Sequence, residues 1–97
     1  MTDIRTIRTR LEESLPQLRQ RYPIKSLGIF GSYIRGEENE GSDLDILIEF
    51  DTPIGFFKYM TLEDELSKIA GIKVDLVMKS ALKPKIGKVI LEEVSYI

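Results

Sequence analysis

The chain has 97 residues, 42% hydrophobic and 31% charged, and its 14 basic and 16 acidic side chains leave a net charge of −2. This composition predicts one small soluble globular domain, too short for a second core and lacking the surplus of Lys and Arg on which non-specific nucleic-acid binding depends. With neither cysteine nor histidine, disulfides, zinc ribbons, thiol catalysis, Ser-His-Asp triads and imidazole metal sites are excluded, which leaves carboxylates, hydroxyls, ammonium, guanidinium and backbone amides as the chemical vocabulary.

The opening "MTDIRTIRTRLEESL" mixes charges every few residues. It is expected to be neither a signal peptide nor a membrane span, and a cytoplasmic protein is the default expectation. From Asp3 to about Gln20, Ile4, Ile7, Leu11, Leu15 and Leu18 recur at spacings of three and four, the period of an amphipathic helix capped by Thr2 or Asp3. Pro16 lies inside this pattern and predicts a kink or a second start. Arg5, Arg8, Arg10, Arg19 and Arg21 read as its solvated face.

"IKSLGIF", Ile24 to Phe30, reads as a strand that runs into Gly31, and Ser32 to Arg35 as a short helix bounded by Gly31 and Gly36. The loop "GEENEG" then leads to a strand from Asp43 to Phe50. Alternation puts Asp43 and Asp45 on one face and Leu44, Ile46, Ile48 and Phe50 on the other, toward the core. Phe56 to Ala70 has helical spacing and stops at Gly71; Ile72 to Met78 reads as a third strand bearing Asp75. A last helix starts near Pro84 and runs apolar through Ile86, Val89, Ile90 and Val94. The order αβαβαβα predicts an α/β (α+β) architecture, a three-stranded mixed sheet packed against helices.

Three features can converge in such a fold. Gly31-Ser32 sits where a strand meets a helix start, a place suited to a phosphate because free backbone N–H groups point outward. Asp43 and Asp45 repel each other unless solvated or bridged, and paired carboxylate oxygens suit a hard divalent cation such as Mg²⁺. Asp75 joins them if its strand lies beside theirs. Three carboxylates around two metals about 3.5 to 4 Å apart is an arrangement used for in-line nucleotidyl transfer. Each piece alone has a plain explanation, turn glycines and a solvent-facing edge aspartate among them. The conjunction is the signal. Lys25, Arg35 and Lys73 read first as surface charges; of the three, Arg35 is best placed to steady a triphosphate.

Gly31-Ser32, ten intervening residues, Asp43-x-Asp45 and the later "KVDLV" with Asp75 resemble the active-site signature of the DNA polymerase β-type nucleotidyltransferases. Over nearly the whole chain, through "KVDLVMKSALKP" to "ILEEVSYI", the sequence is similar to the minimal nucleotidyltransferases (MNT). The resemblance implies the nucleotidyltransferase fold. It also implies that Gly31 and Ser32 hold ATP, and that Asp43 and Asp45 bind two Mg²⁺ ions while Asp75 completes one metal site and helps to activate the acceptor hydroxyl. Tyr33 and Ile34 stand where many relatives carry a charged and a small residue. Members resembling this chain act as antitoxins of a HEPN-domain toxin by transferring AMP to one of its tyrosines, so a hetero-oligomer with such a partner is implied, with no direct nucleic-acid or membrane contact. A catalytically silent antitoxin that neutralises by binding alone is the alternative. Transfer to a small molecule ranks below both, because relatives doing that carry an added helical domain. A template-directed polymerase fails on size and on the missing basic surface.

Overall fold

The structure is a computed structural model that describes residues 3–97. Helix α1 spans Ile4–Arg21 and is capped by Asp3, whose carboxylate accepts from the Thr6 N–H at 2.8 Å; the other expected cap, Thr2, lies outside the described residues. Ile7, Leu11, Leu15 and Leu18 are buried. The expected second start at Pro16 is absent, and α1 continues through it as one helix. Pro16 falls on the exposed side, where water can take the carbonyl that its missing N–H leaves free.

The face read as merely solvated also fastens α1 to the rest of the chain. Arg8 donates to the Ser95 hydroxyl and the Tyr96 carbonyl, Arg10 to the Ala70 carbonyl, Arg19 to the Lys25 carbonyl, and Arg21 pairs with Glu65.

Strand β1 (Ile24–Phe30) leads into the one-turn helix α2 (Ser32–Arg35), and β2 (Leu44–Phe50) follows the polar loop. Helix α3 (Phe56–Ala70) ends at Gly71, which adopts φ +79° and bonds back to the Ser67 carbonyl, as its place in the pattern predicts. Then come β3 (Val74–Met78), a single 3-10 turn, α4 (Pro84–Glu93) and β4 (Ser95–Tyr96).

The sheet therefore has four strands, one more than expected, in the order β3-β2-β1-β4. The β1–β2 and β1–β4 pairs are antiparallel and β2–β3 is parallel. The added strand is two residues long, too short to show a period, and its sequence reads as the tail of α4. It pairs Tyr96 with Gly28 and Ser95 with Ile29. Gly28 makes this approach possible, because a β-carbon there would lie 2.6 Å from Cγ2 of Val94.

Leu27, Ile29, Leu44, Ile46, Ile48, Val74 and Leu76 line the core face and pack against α1 and α3. On the exposed side of β3, α3 caps the strand edge with Tyr59, Glu63 and Ser67, spaced four residues apart. Ser67 Oγ accepts from Val74 N–H and Glu63 Oε2 from Leu76 N–H, both at 2.9 Å, and the Tyr59 hydroxyl donates to the Leu76 carbonyl. This closes an edge that would otherwise offer free backbone groups to another strand. Two apolar patterns do not end in the core: Phe56 is 71% exposed, and in α4 Ile86 and Val89 are each 61% exposed while only Gly87 is buried.

Candidate active site

The site is built at one end of the sheet, opposite the core face. Phe30 at the end of β1 faces Asp45 in β2, and Asp45 faces Asp75 in the parallel β3. The shared register puts Asp45 and Asp75 side by side on one face. Asp43 sits one residue ahead of β2, which begins at Leu44, and its carboxylate is 4.0 Å from the Lys73 ammonium. Lys25 lies at the other end of β1, paired with Glu49, and is not part of the site.

Gly31 closes the site from above. Its φ of +83° with ψ of −154° is a backbone region essentially confined to glycine. A β-carbon on it would stand 2.1 Å from Asp45 Oδ2, so the backbone itself forms the wall against that carboxylate. The Gly31 carbonyl accepts from the Ile34 and Arg35 N–H groups and starts α2, with Ser32 half-buried at its first position. Tyr33 and Ile34 pack against the core and leave the open side of the site to other residues.

Burial pushes the Asp45 carboxyl above its ordinary range, with the negative charges of Asp75 and then Asp43 adding to the effect and Arg35 opposing it. Among the described residues, no three acidic side chains converge closely enough to enclose an ion. The donor set itself, carboxylate oxygens alone on neighbouring backbone positions, has the chemistry that Mg²⁺ takes.

Arg35 reaches the site with its guanidinium already engaged by Glu93 at 2.8 Å and Glu37 at 3.2 Å. Glu93, the last residue of α4, also accepts from the Gly31 N–H at 2.9 Å. The sequence reading missed Glu93. One signal was available, since an acid at a helix C-terminus opposes the helix dipole and calls for a local reason. The Arg35 hydrogen bond, with help from the Gly31 N–H, holds the Glu93 carboxyl below its ordinary range. An open cleft of about 450 Å³ runs from Gly31, Asp45, Arg35 and Glu93 to an apolar wall formed by Ile86 and Val89.

This fold and this placement of carboxylates define a nucleotidyltransferase domain, and the family model of that description matches residues 11–97. The chain belongs to the nucleotidyltransferase domain family and is a nucleotidyltransferase. It is 42% identical, over its full length and 98% of the relative's, to the protein adenylyltransferase MntA of Thermococcus cleftensis. A solved structure provisionally described as a minimal nucleotidyltransferase matches with a TM-score of 0.81 and 33% identity, covering 96% of this chain and 94% of that one. At 18% identity, a likeness of fold alone, the chain also matches a structure described as a tri-AMPylated Shewanella oneidensis HEPN toxin in complex with MNT antitoxin. That match has a TM-score of 0.68 and covers 93% of this chain and 70% of that one. Among the described residues, no helix is long and apolar enough to cross a membrane.

Proposed function

We propose that this single domain transfers AMP from ATP to a tyrosine hydroxyl of a HEPN-domain toxin and so acts as its antitoxin. The observation that carries the reading is the register of Asp45 beside Asp75 under the Gly31 turn, with Asp43 two residues away. In this reading Asp43, Asp45 and Asp75 hold two Mg²⁺ ions, and Gly31 and Ser32 receive the triphosphate, with Arg35 adding positive charge from beside them. The ions supply charge neutralisation on the phosphates when bound.

The chain's own part is alignment. The acceptor oxygen attacks the α-phosphorus in line, the bond to pyrophosphate breaks, and the hydroxyl proton passes toward the Asp75 carboxylate. Such a transfer asks for positioning and charge stabilisation and little covalent chemistry from the protein, which suits a chain with no histidine or cysteine. A protein acceptor is supported by the apolar Ile86–Val89 wall, which leaves oily surface open beside the carboxylates. It is also supported by the name of the Thermococcus relative.

The test is incubation of the purified chain with ATP, Mg²⁺ and its HEPN-domain partner, followed by mass spectrometry of the partner. An added AMP mass on a tyrosine, absent with Asp43→Asn, is the expected result. Neutralisation of the toxin with no added mass, unchanged in the Asp43→Asn, Asp45→Asn double variant, would replace transfer with binding alone.

A further inference from the structure

We propose that Glu93 is a positioning residue of the transfer site, gripping the Gly31 turn and the Arg35 guanidinium together from the end of α4. The proposal rests on the reading of Gly31, Ser32 and the aspartates as the nucleotide site.

The geometry is specific to a carboxylate. Oε2 accepts from the Gly31 N–H at 2.9 Å and Oε1 from Arg35 Nη1 at 2.8 Å, one oxygen for each donor. Glutamine has a single acceptor oxygen, and its amide would turn an NH₂ toward one of the two donors. The Glu93 side chain is 15% exposed and Gly31 is buried, so the Gly31 N–H would lose its bond in a largely dry place, while the half-exposed Arg35 would keep Glu37 and water.

Its location is otherwise unfavourable. Glu93 ends a helix, where an acid opposes the dipole, and it adds negative charge near Asp45. The helix end alone would favour a basic or neutral side chain there, so the bonds to Arg35 and Gly31 are what hold the carboxylate in place.

What the grip achieves follows from what Gly31 touches. The Gly31 backbone lies directly over Asp45 Oδ2, so a carboxylate that fixes this turn fixes the wall of the site. Glu93 also ties down the end of α4, a helix that otherwise makes only sparse contact with any one element. In-line transfer is sensitive to displacements of about 1 Å, which can cost about a hundredfold in rate.

The experiment compares wild type, Glu93→Gln, Arg35→Gln, their double variant, and Glu92→Gln, an exposed neighbour outside the grip. Four readings are taken: the melting temperature, the Gly31 amide proton shift by NMR, the affinity for the ATP analogue AMP-PNP with Mg²⁺, and AMP transfer to the HEPN-domain partner at saturating ATP. Glu93→Gln is expected to move the Gly31 amide upfield and cut transfer at least tenfold while AMP-PNP affinity changes less than threefold. The double variant is expected to lose less than the two single losses combined, as coupled residues do, and Glu92→Gln to match wild type.

An unmoved Gly31 amide, or transfer at the wild-type rate, overturns the proposal. So does a tenfold gain in AMP-PNP affinity with transfer preserved, which would make Glu93 a plug that the nucleotide displaces. If Glu93→Gln does not fold, Arg35→Gln decides. A Gly31 amide displaced from its wild-type position by Arg35→Gln supports the grip, because only Glu93 joins the two, and an undisplaced amide overturns it. If wild type itself transfers nothing, the proposed function fails, and the Gly31 amide still reports whether the grip exists.

Discussion

Gly31 and Asp45 are in such close contact that any side chain on the glycine would occupy the space of the carboxylate: an added β-carbon would lie 2.1 Å from Oδ2. The positive φ of Gly31 makes the same demand from the backbone side. Gly31→Ala is therefore expected to lose stability by about 1–3 kcal/mol, the usual cost of holding a non-glycine residue in such a conformation. Transfer should fall further than stability, because the carboxylate must move. Urea unfolding together with the transfer assay checks both; a variant as stable and as active as wild type would contradict the placement of Asp45.

The Tyr59–Glu63–Ser67 ladder caps both backbone groups of Leu76, the residue that follows Asp75. Glu63→Ala leaves the Leu76 N–H without its partner and is expected to cost about 1–3 kcal/mol. Hydrogen exchange of that amide should quicken more than that of residues in β1, which lies inside the sheet. Uniform quickening across the sheet would show instead that Glu63 acts on the whole fold.

The parts of the candidate site legible in the sequence are those whose partners lie nearby or follow strand alternation. Gly31-Ser32 and Asp43-x-Asp45 fall within the one stretch that joins β1 through α2 and its loop to β2, and Asp75 needed only a strand with a polar residue facing away from the core. The structure places Asp45 and Asp75 in register. An acid at the end of α4 hints that Glu93 has a local partner, but which one was not legible, because Gly31 and Arg35 lie 62 and 58 residues away. Strand β4 was hidden for a similar reason: two residues carry no period, and the clue was the missing side chain at Gly28. The exposure of Ile86 and Val89 was also invisible, since helical spacing states which residues share a face but not whether anything covers it.

Asp45 and Glu93 give opposite pH dependences. The folded Asp45 carboxyl titrates above its ordinary 3.8, so between that value and its folded pKa the native state binds more protons than the unfolded chain. Its contribution to stability is lost as pH rises through this window. The folded Glu93 carboxyl titrates below its ordinary 4.5, so its contribution is present above that value and disappears as pH falls. Without Mg²⁺, Asp45→Asn should therefore raise the melting temperature at pH 7, and the gain should fade toward pH 3. Glu93→Gln should lower the melting temperature at pH 7 and approach wild type at pH 3. Melting curves of the three proteins across this range check both signs, and a parallel offset at every pH would mean that neither charge is responsible.

Mg²⁺ should reverse the Asp45 effect. Burial and then the charges of Asp75 and Asp43 disfavour the ionised Asp45 carboxyl; a divalent ion bound beside these carboxylates turns that cost into attraction. Binding to the native state alone stabilises it by about 2.7 kcal/mol at a hundred times the dissociation constant. Wild type should thus melt at a higher temperature as Mg²⁺ is added, most clearly near neutral pH where the carboxylates are ionised. Asp45→Asn should start higher and respond little, so that the two curves cross as the ion is titrated. Arg21→Gln removes a salt bridge to Glu65 on α3 and should lower the starting point without changing the response. Equal Mg²⁺ responses in wild type and Asp45→Asn would place the ion elsewhere and remove Asp45 from the set that holds it.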